Sequence, residues 1–252
     1  MGFFDKFKNK KEKDFIDDII AKLGCDYWVM EERNAEDVMR RYQQALIEGK
    51  KEGYTPLIII SSERMLEIVD PEAVEFSTDD RETILSKSKD VNAKKLLRTL
   101  LDDVMTADED QDEDEDENDI AGEFSFEEPI SHFLSIEEVI NKKVIVAKIP
   151  TVKPWEAAAW VPMGGFNECP MPEEQAAVFQ YWYEQYGAFP ALVTEDVWEF
   201  FVENPPGTKE QSEVLAWEQF GFCPDIVWQG VGSVGSLAGT LMNSSIWYFW
   251  WD

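Results

Sequence analysis

The sequence predicts an α/β fold, with helices packed on a layered sheet that is mixed or mainly parallel. Apolar runs of strand type alternate with helical segments along the chain. Glycines, prolines and polar capping residues mark the boundaries between these segments. The chain has 252 residues and is 44% hydrophobic, which is enough for a substantial core.

The sequence of the N-terminal part of the chain predicts two helices and two strands. Residues 14–23 carry apolar residues on one helical face, and Gly24 follows as a stop signal. Two strand-type runs come next, CDYWVME from Cys25 and TPLIIIS from Thr55. Asn34 is suited to cap the helix between them. If the two strands are parallel, this βαβ unit is right-handed.

A strongly acidic run follows two further helical stretches, at residues 63–69 and 78–105. Ten of the twelve residues from Asp108 to Asp119 are acidic. Such a block repels itself and buries no apolar surface, so we expect a disordered, solvated linker. Weak cation binding is the alternative, although the block lacks the glycine of an EF-hand calcium loop.

The acidic run divides the chain into three predicted parts. An N-terminal α/β region covers residues 1–105, the linker covers 106–121, and a tryptophan-rich α/β domain covers 122–252. Nine of the ten tryptophans lie from Pro150 onward, where fourteen acidic residues accompany two basic ones.

The C-terminal domain has its own succession of predicted elements. We expect strands at 143–149, 155–161 (WEAAAWV), 188–193 and 246–252, and an extended segment at 223–229. We expect helices at 172–186, at 195–203 (EDVWEFFVE) after a Thr194 cap, at 209–222 after a Thr208 cap, and at 231–241.

Charge and cysteine content limit the classes of function. The formal net charge is −29, which disfavours nucleic acid and suits a basic protein partner. Three cysteines favour a reducing compartment. The N-terminus lacks the apolar core of a secretory signal, and no run reaches the roughly 20 apolar residues of a membrane span. We therefore expect a cytoplasmic protein without a membrane partner.

Two Cys-Pro steps are the first candidates for chemistry. Cys169 lies in N-E-C-P, just before a predicted helix whose N-terminus would favour a thiolate, and Cys223 lies in F-C-P-D. The single histidine, His132, is the available partner for a Cys-His pair. The spacing fits neither a zinc ribbon nor a redox couple, so we predict no metal and no cofactor. Structural cysteines are the favoured interpretation, and a redox or nucleophilic role is the alternative.

Carboxylates and amides near these cysteines form the second candidate. Glu168 and Asp225 would act as an acid-base pair if the two loops share a cleft, whereas capping and loop support are the commoner roles. The polar set otherwise comprises Asn167, Glu218, Gln219 and Gln229.

A glycine motif is the third candidate. Residues 230–235 read G-x-G-x-x-G after a strand-type run, and Asp252 follows 22 residues after the first glycine. This outline resembles the dinucleotide fingerprint. The alternative is that these glycines start a helix and allow it to pack closely on its neighbours.

Four sequence blocks indicate a family. WVPMGGFNECP, YWYEQYGAFPAL, LAWEQFGFCPD and the terminal WYFWWD together resemble the bacterial family known as domain of unknown function 4253, over roughly residues 144–252. The resemblance implies a cytoplasmic bacterial protein and lends no reaction, cofactor or catalytic residue. The residues that fall in the family's blocks are Gly164, Gly165, Asn167, Glu168, Cys169, Glu218, Gln219, Cys223, Asp225 and Asp252.

Together these observations favour a non-catalytic interaction protein, with an immunity-like inhibitor of a toxin as one concrete form. The first alternative is a hydrolase or transferase that uses the two Cys-Pro loops, with Gly164, Gly165, Asn167, Glu218 and Gln219 contacting its ligand. The second alternative is a nucleotide-binding module at residues 230–235.

Overall fold

A computed structural model describes residues 15–32, 34–70, 79–109, 120–138 and 143–252. Within these ranges six strands form one sheet, in the order β1-β3-β2-β4-β5-β6. The strands are β1 (Asp26–Val29), β2 (Thr55–Ile60), β3 (Val144–Ile149), β4 (Ala188–Val193), β5 (Val197–Val202) and β6 (Ile246–Trp250). Strands β2 and β4 are parallel, and the other neighbouring pairs of this sheet are antiparallel. The predicted α/β class with a mixed sheet is confirmed.

Ten α-helices surround the sheet in the described part of the chain. They are α1 (Ile16–Leu23), α2 (Ala35–Glu52), α3 (Glu63–Val69), α4 (Arg81–Lys87), α5 (Ala93–Glu109), α6 (Ser135–Glu138), α7 (Ala157–Trp160), α8 (Pro172–Tyr186), α9 (Lys209–Phe222) and α10 (Val234–Leu241). A π-helical turn, Ile226–Val231, lies between α9 and α10.

The strand–helix–strand unit at the N-terminus forms because its local signals agree. The Asn34 side chain accepts a hydrogen bond from the Asp37 backbone N–H and caps α2. Gly53 ends the helix with a φ of 83°. Both β1 and β2 pair antiparallel with β3, which lies between them. The two strands are therefore parallel to each other without being neighbours.

Both faces of the sheet are buried, which explains the continuous apolar runs in its central strands. In β2, Leu57 and Ile59 pack in the larger core, whereas Ile58 and Ile60 pack in a smaller core against α2. Aromatic rings fill much of the larger core. The Trp182 ring of α8, for example, stacks on Phe249 of β6 with the ring centroids 5.3 Å apart.

Three predicted elements were wrong. Residues 154–160 form a 3-10 turn and the short helix α7 instead of a strand, because Pro154 at a helix start is followed by three alanines. Residues 197–202 form β5 instead of a helix. Thr194 Oγ1 does accept from the backbone N–H groups of Asp196 and Val197, but it does so in the turn between β4 and β5.

The third wrong element is the extended segment at 223–229. The chain turns there because the Pro224 carbonyl accepts from the N–H groups of both Val227 and Trp228. The π-helical turn follows, and Gly232 ends it with a φ of 82°.

The acidic run connects two parts of the chain that share the sheet. Helix α5 continues to Glu109, into the first residues of the predicted linker, and residues 110–119 lie outside the described ranges. Strands β2 and β3, on either side of the run, pair over six positions. The three-part division of the chain stays a prediction. No helix of the described residues is both long and apolar enough to cross a membrane.

The segment after the acidic run packs directly on α10. A Cβ atom added at Gly239 would lie 1.6 Å from the Ser125 carbonyl oxygen, and one added at Gly235 would lie 2.6 Å from the Glu123 backbone. These glycines therefore allow two backbones to approach more closely than any side chain permits.

We expect Gly239→Ala to lower the free energy of unfolding by about 1–3 kcal/mol, because the new methyl group overlaps the Ser125 carbonyl. At an ordinary helix position a Gly→Ala change raises the free energy of unfolding by about 1 kcal/mol, so the sign of the measured change is diagnostic. Gly207→Ala is the control, since a Cβ atom there meets nothing within 4 Å. Urea unfolding of both variants measures the difference, and a stabilised Gly239→Ala variant contradicts the packing.

Candidate functional site

The loop between α7 and α8 combines buried and exposed residues in an unusual backbone conformation. Gly164 and Gly165 have φ values of 146° and 74°, and Asn167 and Glu168 have φ values of 43° and 59°. Two successive non-glycine residues in the left-handed region carry backbone strain, which the surrounding contacts must offset. Asn167 and Glu168 are exposed, whereas Cys169 is buried.

A buried amide, Gln175 of α8, supports this loop from inside. Its side chain is fully buried, and its Nε2 donates to the Met163 carbonyl at 2.5 Å and to the Pro170 carbonyl at 2.7 Å. Its Oε1 accepts from Trp198 Nε1 at 2.8 Å. One side chain thus joins both ends of the loop to a strand of the sheet.

Gly164 completes the same arrangement. A Cβ atom at this position would lie 2.2 Å from the Pro170 carbonyl oxygen and 2.7 Å from Gln175 Nε2. No other residue type fits between the two ends of the loop. The glycine at this position is therefore required by the shape of the loop.

The two candidate thiols are buried in the larger core. Burial raises the pKa of the Cys169 thiol well above its usual range, and the nearby Cys223 thiol adds to this effect. The Cys223 Sγ donates to the Trp250 carbonyl at 3.0 Å, and burial also raises its pKa. The two Cys-Pro segments therefore meet, but both sulfurs are neutral thiols at physiological pH. A nucleophile needs the thiolate.

Two of the candidate carboxylates, Glu218 and Asp225, have structural partners. Glu218 accepts from Tyr181 Oη at 2.9 Å and from Trp182 Nε1 at 3.1 Å. Asp225 accepts from the Gln229 side chain at 3.2 Å and from the Asp252 backbone N–H at 3.0 Å. The first carboxylate joins α9 to α8, and the second attaches the C-terminal residue to the π-helical turn.

The glycine motif has its backbone donors occupied. The N–H groups of Val234 and Gly235 donate to the carbonyls of Ile120 and Ala121, at 2.8 and 2.7 Å. The Ser236 N–H donates to the Ser233 side chain. In a dinucleotide site such groups at the helix start bind the pyrophosphate. Here a segment of the same chain lies in that position.

Gln219 differs from the other candidates, because neither its Nε2 nor its Oε1 has a hydrogen-bond partner among the described residues. It is 1% exposed. Across the described ranges, no group of three or more His, Cys, Asp or Glu side chains is placed to hold a metal ion.

Sequence analysis missed two buried polar residues. Gln175 lies four residues before Phe179 and seven before Trp182, so its helical spacing on the buried face was a usable signal. Glu199 is fully buried in β5, and its carboxylate accepts from the backbone N–H groups of Leu134 and Ser135, at 2.7 and 2.8 Å. The misassigned helix concealed its burial.

Gln175→Leu is expected to lower the free energy of unfolding by about 3 kcal/mol or more. The change leaves two carbonyls and the Trp198 N–H buried without partners, at about 1–3 kcal/mol each. Gln180→Leu, at an exposed position of the same helix, is the control and should stay within about 0.5 kcal/mol. If denaturant titrations show that both variants lose the same free energy of unfolding, the supporting role of Gln175 is contradicted.

Thiol labelling of the native protein should modify Cys25 first. This residue is half-buried, and burial raises its pKa to about 11. Because only the thiolate reacts with the label, the labelling rate of Cys25 should keep rising up to about pH 11. The labelling rate of an ordinary thiol levels off above its pKa of about 8.5. Cys169 and Cys223 should react only after unfolding. Rapid native labelling of a Cys25→Ser variant would contradict their burial.

The comparisons with known proteins concern the C-terminal part of the chain. Neither the curated proteins nor the solved structures that were searched contain a significant match. A family model described as Domain of unknown function (DUF4253) matches residues 145–252, which include the two Cys-Pro segments, Gln175 and Gln219. The resemblance of the sequence blocks to that family is thereby confirmed for residues 145–252.

Proposed function

We propose that this chain is a non-catalytic interaction protein that binds a basic protein partner. The observation that carries the proposal is its charge: 52 acidic and 23 basic residues leave an excess of 29 negative charges. Even if every cation paired with one carboxylate, 29 carboxylates would have no cation within the chain. A field of this strength accelerates association with a positively charged surface.

Several of the basic side chains are already paired with carboxylates. Lys87 contacts Asp79 and Glu173, Lys148 contacts Glu52, and Lys209 contacts Glu213. These contacts are on the protein surface, where an ion pair contributes little stability. Each such pair uses one carboxylate for one cation, so the excess of 29 negative charges is left, and this excess supports the proposal.

The exposed part of the loop at residues 165–168 is the proposed recognition element. Gly165, Asn167 and Glu168 are exposed on a backbone that Gln175 supports from inside. Strained backbone conformations are concentrated at functional sites. A loop that is already ordered loses less conformational entropy when a partner binds, which favours affinity.

The enzyme alternative lacks comparable support. Both candidate thiols are buried with raised pKa values, and both oxygens of Asp225 accept hydrogen bonds within the chain. The nucleotide alternative requires backbone N–H groups that already bind Ile120 and Ala121. An inhibitor of a basic toxin is one concrete form that the proposed interaction takes.

The proposal is tested by immobilising this protein and capturing proteins from cell lysate on it at low salt. A captured protein is then purified, and its rate of association with this chain is measured. We expect a basic partner whose association rate falls steeply with ionic strength. Glu168→Gln should slow association roughly two- to fivefold. Glu128→Gln, which removes one exposed charge from the segment that covers α10, is the control and should have a smaller effect.

Three outcomes would overturn the proposal. They are the capture of no protein, the capture of proteins without a basic surface, and association rates that do not depend on salt. Equal effects of Glu168→Gln and Glu128→Gln would reject the loop at 165–168 as the recognition element.

A further inference from the structure

One tryptophan side chain lies on the surface of this protein. All ten tryptophans fall within the described ranges, and the others are buried or half-buried. Trp228, in the π-helical turn, is 43% exposed. Single π-helical turns are rare and occur mainly at functional sites. An exposed ring of this size in such a turn is therefore a candidate contact surface for a partner.

The Trp228 ring is supported from beneath although it is exposed. It packs edge-on against Phe220 of α9, with the ring centroids 5.4 Å apart, and Phe220 is fully buried. The Trp228 backbone N–H donates to the Pro224 carbonyl at 3.0 Å, which fixes the turn itself. An ordered ring loses little conformational entropy when a partner covers it, and tryptophan is enriched among the residues that dominate binding energy.

Two carboxylates lie beside this ring. Asp225 precedes Trp228 by three positions at the start of the same turn, which is the spacing of neighbours on a helical surface. One oxygen of Asp225 accepts from the Asp252 backbone N–H at 3.0 Å, so the exposed Asp252 residue lies next to it. The ring and the two carboxylates therefore form one surface, which we call the turn surface.

No basic side chain of the described residues pairs with Asp225 or Asp252. The two lysines after residue 150, Lys153 and Lys209, pair instead with glutamates three and four residues later in the sequence. Asp225 accepts one hydrogen bond at each oxygen, and a carboxylate oxygen has a second lone pair. The negative charge of the turn surface is therefore available to a partner.

We infer that the turn surface is a docking site for an arginine side chain of a basic protein partner. A guanidinium group stacks on a tryptophan ring within about 6 Å of the ring centroid. Its planar N–H donors can pair with neighbouring carboxylates at the same time, whereas a lysine ammonium is a compact point charge. The inference rests on the proposed function, because it gives the same basic partner a second contact surface besides the loop at 165–168.

Charge decides between this partner and the other surfaces that could cover an exposed tryptophan. A second copy of this chain would bring another 29 negative charges, so the two copies would repel each other. The carboxylates would likewise repel an anionic membrane. A neutral apolar surface would cover the ring but would desolvate both carboxylates without a counter-charge. A cationic side chain satisfies the ring and the carboxylates together.

The first experiment uses a probe that does not require the partner. The full chain is titrated with the blocked peptide acetyl-Gly-Arg-Gly-Arg-Gly-amide while NMR follows the tryptophan indole N–H signals, and a Trp228→Phe variant identifies the Trp228 signal. We expect this signal to shift further than those of the buried tryptophans. The matched lysine peptide should bind more weakly, and the matched citrulline peptide should not bind. The inference is overturned if the Trp228 signal does not shift, or if either control peptide shifts it equally.

The second experiment uses the purified basic partner. Trp228→Ala should raise Kd roughly tenfold or more, mainly through faster dissociation. Asp252→Asn should slow association roughly two- to fivefold at low salt. Val214→Ala, which truncates an apolar side chain that is 62% exposed on α9, is the control and should have a smaller effect than Trp228→Ala.

The outcomes separate this inference from the proposed function. If Trp228→Ala and Val214→Ala weaken binding equally, the turn surface is rejected while the basic partner still supports the proposed function. If no basic partner is captured, the proposed function fails by its own test, and the peptide titration still decides the inference. A wild-type dimer that Trp228→Ala converts to a monomer in sedimentation, or vesicle binding that Trp228→Ala abolishes, would also overturn the inference.

Discussion

The hydrogen bonds of the Gln175 amide are the constraint on which the packing of residues 145–252 depends. This side chain joins the two ends of the loop at 163–170 and attaches them to Trp198 of β5. A fully buried amide is stable only when its donor and acceptor are both paired. The loop, α8 and the sheet must therefore adopt their positions together, and the strained residues Asn167 and Glu168 are held by contacts made elsewhere.

The conspicuous sequence blocks of residues 145–252 meet in the core rather than in an open cleft. The first Cys-Pro step ends the supported loop, and the second precedes the π-helical turn, with its thiol bonded to the last strand. Glu218 joins two helices, and Asp225 holds the C-terminal residue. These residues therefore specify how helices, loop and edge strand fit together.

Local signals predicted most elements because each is decided by short-range chemistry. Asn34, Gly24 and Gly53 lie at helix ends as their side-chain and backbone properties require. The prediction that Thr194 caps a helix was wrong for a physical reason. Its hydroxyl accepts from the N–H groups two and three residues later, which is the same contact in a strand–strand turn and at a helix start. Only the neighbouring strands decide between the two.

The site was less predictable than the fold because its properties arise from long-range packing. The pattern N-E-C-P before a helix favours a thiolate, yet the packed core makes the thiol of Cys169 less acidic. The glycines of residues 230–235 fit a nucleotide loop, yet Gly235 lies under the Glu123 backbone. The unpaired amide of Gln219 is visible only when the surrounding side chains are known.

The most direct test of the central claim is hydrogen exchange at the Gln175 side-chain amide, followed by NMR. Both of its protons are engaged with buried carbonyls, so the account predicts slow exchange with water and nuclear Overhauser contacts to the Trp198 indole N–H. Exchange as fast as that of an exposed amide, such as Gln180, would contradict the account. It would show that the loop is open and that the cysteine beside it is accessible.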